Sequence, residues 1–247
     1  GVVNEPDYQI VFSDTPGVIK PVYGMQKSMM NFVNGSLVDA DIILFVTDIN
    51  EKYDENDVIE KLQKTTSPVA VVVNKIDKST EEQVKEKVAY WTELLKPSAI
   101  FATSALHDHN VTAVMQFVLD GLPEHPPYYD KDTLTDKPQR FFVSEIIREK
   151  IFKLYDKEIP YSTEVIVTAY KEEAKIIRIS TEIIVERDSQ KNIIIGKAGE
   201  MLKKVGTYAR KDMEEFLQKK VFLELFVKVI PDWRNSKNYL KRFGYED

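Results

Sequence analysis

The sequence predicts an α/β unit built on a parallel sheet, followed by a smaller α+β unit, and three observations carry that expectation. Short continuous apolar runs, "DIILFVTDI", "PVAVVVNKID" and "SAIFATSAL", alternate with amphipathic stretches in the first half. Such runs are the mark of parallel strands buried on both faces. A proline-rich joint, "GLPEHPPYYDKDTLTDKPQR", then denies regular structure, with four prolines and one glycine in 20 residues. Beyond it the order of periodicities changes to helix, strand, strand, helix pair, strand.

In chain order, the first strand is expected in "YQIVFSD", and helices over 24–38, 54–64 and 80–95, the last laying Val84, Val88 and Trp91 on the core under a charged outer face. Ligands of such a sheet gather at the carboxyl ends of its strands. The first domain is read as 1–122, the linker as 123–138 and the second domain as 139–247. In the latter we expect a helix over 141–155, strands over 163–171 and 175–187, a helix or helix pair over 189–219, a strand over 221–230 and a short helix over 236–243.

Composition removes several classes. With no cysteine there is no disulfide framework and no thiolate metal site. No apolar run approaches the roughly 18 residues a membrane-spanning helix needs. The first residues, "GVVNEPDYQIVF", have neither an initiator Met nor the plan of a signal peptide. The net charge of −6 divides unevenly: residues 1–127 hold 10 Lys+Arg against 19 Asp+Glu, whereas 191–220 hold eight basic residues against four acids. The acidic half is a poor partner for nucleic acid, and the basic stretch suits a phosphate backbone.

Three polar clusters fall near the ends of predicted strands of the first half. In "SDTPG", Asp14, Thr15, Pro16 and Gly17 offer a carboxylate for a hydrated Mg²⁺ and a small residue whose N–H can reach a terminal phosphate; a plain surface turn accounts for them as well. In "NKID", the Asp77 carboxylate can accept two parallel hydrogen bonds from guanine, with Asn74 and the Lys75 stem bracing ring and loops; a strand-to-helix capping turn also uses Asn and Asp. In "TSAL", the small residues Ser104 and Ala105, with Leu106, let a backbone N–H approach the guanine O6. "HDH" at 107–109 is read as loop residues and not as a metal pair.

The basic half carries "IIIGKAGEMLKKVG". Two glycines three apart at a helix start admit close backbone approach, and an anion is the natural guest. Ile195, Gly196, Lys197, Ala198 and Gly199, with Lys203 and Lys204, are the candidate RNA-binding residues, a tight turn into a helix being the bland reading. Aspartate at both glycines is expected to abolish single-strand binding and leave the fold intact. Farther on, "VFLELFVKVIPDWRNS" alternates Phe222, Glu224, Phe226 and Lys228, while Tyr239 and Phe243, four apart, could stack on bases but are read as packing the last helix.

Together the three clusters resemble the later motifs of translation-factor-type GTPases, and the element order around "GKAG" resembles a type II KH domain. With "PEHPPYYDKDTLTDKPQRF", "EIIREKIF", "EIPYST" and "VKVIPDWRNS", nearly the whole chain resembles the Era family of GTPases. The resemblance implies an N-terminally truncated P-loop GTPase-type parallel sheet domain followed by a type II KH domain. It also implies GTP/GDP and Mg²⁺ as cofactors of the intact parent, Asp14 holding the metal through water. The implied partners are the 3′ end of small-subunit ribosomal RNA and the 30S subunit, not DNA, in the cytoplasm with some peripheral contact at the inner membrane. An RNA-binding adaptor, or a ribosome-assembly GTPase with a KH-like docking domain, is the alternative.

The departures from the family pattern bear on activity. The family begins with a strand, a G-x-x-x-x-G-K-[ST] phosphate loop, a helix and a threonine-bearing switch, and none of these stands in the 247 residues. The missing strand belongs between the strand carrying Asp14 and the one beginning at Asp41, so two strand edges are left uncovered and self-association is favoured. Val18 stands where many GTPases carry a water-orienting glutamine, so no catalytic residue is assigned. Two charge-assisted bonds to guanine supply roughly 3–6 kcal/mol, against an association cost of about 4–15. The chain by itself is therefore expected neither to bind GTP tightly nor to hydrolyse it.

Overall fold

In the computed structural model the described residues are all except Lys20, 52–56, Thr133, Leu134, Asp136, Glu246 and Asp247. The start of the helix expected from residue 54, and three linker positions, lie outside them. The chain divides into two compact units, one of Gly1–Pro21 with Met29–Thr133 and one of Val22–Ser28 with Leu134–Asp247.

In the first unit, β1 (Val2–Asn4) and β2 (Gln9–Val11) form an antiparallel hairpin, with Val2 opposite Val11. This corrects the expectation of a long strand over "YQIVFSD": the strand is three residues, it pairs with a strand the periodicity does not mark, and it ends three residues before Asp14. Pro6 and Asp7 sit in the turn that folds β2 back on β1, closed by Glu5 N donating to Tyr8 O at 3.0 Å. Helix α1 (Gly24–Asp39), whose residues from Met29 on belong to this unit, leads to a separate sheet in which β3 (Ile43–Asp48), β4 (Val69–Asn74) and β5 (Ala99–Ala102) run parallel in that order. Among the described strands nothing joins the two sheets. The connections are α2 (Asp57–Lys64) and α3 (Glu81–Leu95), with α4 (Val111–Gly121), which the sequence reading does not anticipate, after β5.

β4 is the centre, with Ala70, Val71 and Val73 fully buried, as its uninterrupted valine run requires. Trp91 of α3 is completely buried, edge-on to Phe45 at 5.2 Å. Val84 and Val18 pack on the same core, so Val18 has a packing role.

The second unit is a three-stranded sheet of β6 (Glu164–Glu172), β7 (Ile176–Val185) and β8 (Lys220–Val229), antiparallel then parallel, covered on one face by α5 (Gln139–Leu154), α6 (Asp188–Ile195) and α7 (Glu200–Leu217). An i, i+4 spacing explains the packing: Val143, Ile147 and Ile151 of α5 and Val205, Ala209 and Met213 of α7 recur every four residues and are buried. The "III" run before the first glycine ends a helix, Ile194 facing the core and Ile193 exposed. Helix α8 (Lys237–Arg242) is held by Leu240 and by Phe243, which meets Trp233 at 5.4 Å and Tyr239 at 5.7 Å, in keeping with packing rather than base stacking.

Candidate nucleotide and RNA sites

The guanine half-site is assembled where β4 and β5 end side by side. Register pairs Val73 with Ala102, and Thr103 N donates to Val73 O at 2.8 Å, so the two following loops emerge together. Asn74 spans them: its Oδ1 accepts from Lys75 N at 2.8 Å, Ala105 N at 3.0 Å and the Thr103 hydroxyl at 3.3 Å. Lys75 adopts a left-handed conformation (φ 63°), and its Nζ pairs with Asp48 Oδ2 at 2.8 Å. Asp48 is opposite Asn74 in register and was not singled out from sequence; only pairing of β3 with β4 puts it there. The hydrogen bond from Lys75 holds the Asp48 carboxyl below its ordinary value.

Asp77 accepts a short hydrogen bond, 2.5 Å, from the Ser104 hydroxyl, and that bond holds its carboxyl below the usual carboxylate range. It is an exposed, ionised acceptor at neutral pH. The helix that follows is capped elsewhere: the Thr80 hydroxyl oxygen accepts from Gln83 N, and the Gln83 side-chain oxygen accepts from Thr80 N. Helix capping therefore leaves Asn74 and Asp77 free of that duty. Leu106, 78% exposed, rims the loop, which Ser104 and His109 close through reciprocal backbone bonds at 3.2 and 2.9 Å.

Asp14, Thr15, Pro16 and Gly17 lie in irregular chain, with Pro16 partly covered and the others exposed. Among the described residues no hydrogen bond or ion pair joins them to the guanine loops. A Cβ on Gly17 would meet nothing within 4 Å, so packing within the chain does not require that glycine. The guanine-side residues fit a guanine base; on the phosphate side this sequence supplies only the Asp14–Gly17 turn. Among the described residues no group of three or more His, Asp or Glu is placed to hold a metal ion.

The second site is the turn between α6 and α7. Gly196 has φ 72°, ψ 178°, a conformation closed to other residues, and a Cβ there would sit 2.7 Å from Met201 Cγ. Gly199 has φ 79° with open space around it, and Ala198 between them is left-handed (φ 51°). The turn is anchored from behind: the buried Tyr155 hydroxyl donates to Ile194 O at 2.7 Å, and burial pushes that phenol up to about 12. Gln190 holds the start of α6, accepting from Glu186 N and Arg187 N at 2.9 and 3.0 Å.

Helix α7 begins with Gly199 as its N-cap and no side-chain cap; the Gly199 and Glu200 N–H groups donate back into the turn, to Gly196 O and Lys197 O, so only the amides after Glu200 remain for an anion. Lys197 and Ala198 are exposed at the tip. Beside the turn runs a groove of about 430 Å³, lined by Gly199, Leu202, Lys203, Gly206, Thr207 and Arg210 of the turn and helix and by Leu223 and Leu225 of β8. Lys203 faces this groove; Lys204 lies on the neighbouring helix face, 6.0 Å from the Tyr208 ring. Lys197, Lys203 and Lys204 form no ion pair among the described residues. Sequence reasoning missed the groove wall. Its one available signal was Gly206, a glycine inside a helix, where a Cβ would stand 3.2 Å from Leu225 Cδ1.

A pair of tied loops at the ends of parallel strands on one unit, and a GxxG turn beside a groove of leucines and basic side chains on the other, fit a GTPase-type unit joined to a KH-type unit. Residues 1–75 match the family described as 50S ribosome-binding GTPase and residues 158–234 the KH domain. GTPase Era of Geotalea daltonii is 44% identical over 249 residues, which cover 100% of this chain and 84% of that protein; GTPase Era of Clostridium kluyveri is 40% identical over 99% of this chain and 85% of its own length. A crystal structure of an Era variant from Aquifex aeolicus bound to GDP and AlF4⁻ superposes with a TM-score of 0.91 at 37% identity, covering 100% of this chain and 86% of its own. Era in complex with MgGDPNP and nucleotides 1506–1542 of 16S ribosomal RNA gives 0.92 at 37% identity, over 100% and 85%. The chain belongs to the Era family of GTPases.

Proposed function

We propose that this chain binds single-stranded RNA at the 3′ end of the small-subunit ribosomal RNA, under control of GTP, during 30S maturation. The observation that carries the reading is the clamp at 196–199, where two positive-φ glycines and an uncapped helix start adjoin a groove lined by leucines and basic side chains. Phosphates fit the turn and helix amides, and bases fit the groove. The matched GTPase family is described by the large subunit; we follow the RNA-bearing unit, since RNA recognition resides in residues 196–210.

GTP hydrolysis belongs to this proposal for the family's full arrangement of motifs. Asn74, Asp77 and Ala105 then read the guanine, Asp14 holds Mg²⁺ through water, and Gly17 approaches the terminal phosphate. The 247-residue chain taken alone carries no G-x-x-x-x-G-K-[ST] loop, and we expect neither tight GTP binding nor turnover from it. Among the described strands the outer edge of β3 has no partner, which gives the chain a reason to self-associate. The reading places the protein in the cytoplasm, where 30S subunits mature, with membrane-surface contact as a further expectation; no helix among the described residues is long and apolar enough to cross a membrane.

Fluorescence anisotropy with an RNA oligonucleotide copied from the small-subunit 3′ end, beside a scrambled one, tests the proposal. Tighter binding of the native order is expected. Equal affinity for both would reduce the site to an unspecific phosphate contact.

A further inference from the structure

The alternation on β8 has a side that the groove does not use. Leu223 and Leu225 face α7 and line the groove, so strand geometry sends Lys220, Phe222, Glu224, Phe226 and Lys228 to the opposite face of the sheet. The Lys228 end of that face is covered, since Ile184 beside Lys228 in register is fully buried and Glu164 beyond it accepts from the Tyr245 hydroxyl, whereas Phe222 and Phe226 are 44% and 55% exposed. β8 is the last strand of its sheet, so a polymer lying in the groove has only the edge of one strand to pass to reach the rings.

We propose that the outer face of β8 is a second stretch of the RNA path, on which Phe222 and Phe226 each stack one base beyond those held in the groove. The inference rests on the reading of 196–210 as an RNA site. The two rings stand about 13 Å apart along the strand, so each offers its own stacking face. Arg178 lies over the Phe222 ring at 5.1 Å and stiffens it from one side. Between the rings, Glu224 is fixed by the Ser180 hydroxyl at 2.7 Å and presents a carboxylate to the exocyclic amino group of cytosine or adenine, which uracil lacks. Lys228, whose amine lies 3.6 Å from Glu182, stands beyond Phe226 and can exchange that partner for a phosphate, while Lys220 at the other end is held by Glu214 of α7 at 3.1 Å. A protein partner fits less well, because charged residues separate the rings and leave no continuous apolar patch. Aromatics on an exposed sheet face are an established way to hold unpaired bases.

The test uses the 247-residue chain and two oligonucleotides, one of about four nucleotides that fills only the clamp and one of roughly ten. Phe222→Ala/Phe226→Ala is expected to weaken the long RNA by at least roughly 30-fold and leave the short one unchanged. Phe226→Trp should be quenched by the long RNA alone; both natural tryptophans are buried. Uridines in place of the distal cytosines and adenines should weaken the long RNA. Unchanged long-RNA affinity in the double alanine variant, with binding still abolished by Lys197→Asp/Ala198→Asp, would overturn the platform and spare the clamp. Survival of binding in that clamp variant would overturn the RNA reading itself. Dimerisation in sedimentation that the double alanine variant loses would assign the face to a second copy of the chain and also overturn the proposal.

Discussion

The Asn74 side-chain oxygen accepts the Ala105 N–H at 3.0 Å and the Thr103 hydroxyl at 3.3 Å, tying the loop after β4 to the loop after β5. Two clusters 31 residues apart in the chain thereby become one site. Asn74→Ala removes the acceptor common to both, and we expect a loss of about 1–2 kcal/mol in unfolding free energy, read by urea denaturation. No loss would mean that backbone pairing alone holds the loops.

The same geometry limits nucleotide affinity. Isothermal calorimetry of the 247-residue chain with GTP should give no heat assignable to micromolar binding. A fitted micromolar dissociation constant would show that residues within this sequence replace the phosphate loop.

Glu164 makes stability depend on pH. Burial raises its carboxyl above the ordinary value of 4.5, the nearby Arg148 pulls it back, and the Tyr245 hydroxyl and Val165 N–H donate to it at 2.6 and 3.0 Å. A group raised on folding contributes stability that is full below its unfolded pKa and is lost as pH rises through the folded value. Denaturation at pH of about 4 and about 7 should therefore show Glu164→Gln gaining on the natural protein at the higher pH. A constant difference between the two would contradict the assignment.

The two glycines of the clamp should respond differently to alanine. At Gly196 the new Cβ meets Met201 and the backbone is strained, costing about 1–3 kcal/mol or more; at Gly199 the space is open and only left-handed strain remains, about 1–2 kcal/mol. Thermal melts of the two variants measure the order. Aspartate at both positions is therefore not neutral for the fold, contrary to the expectation from sequence; the exposed Lys197 and Ala198 are the better sites for it.

The parallel strands and the positive-φ glycine turn were legible because each rests on local chemistry: valine runs and paired glycines. The β1–β2 hairpin was not, since three-residue strands leave too little alternation to count. Helix α4 hid behind the Ser/His/Asn-rich loop at 104–110. Asp48 and the groove leucines could not be read, for they enter their sites only through pairing of β3 with β4 and packing of α7 on β8.

Salt should weaken RNA binding in proportion to the phosphates neutralised. With Lys197, Lys203 and Arg210 at the clamp and groove, the slope of log K against log salt is expected near −2, taking about −0.7 per phosphate for a single strand. A flat dependence would remove the phosphate contacts from the account.

The most direct measurement is the anisotropy titration of a single-stranded small-subunit RNA end with the natural chain and with Lys197→Asp/Ala198→Asp, whose thermal melt should match the natural one. The clamp requires the variant to lose roughly 100-fold or more in affinity. Equal binding by the two proteins would contradict it.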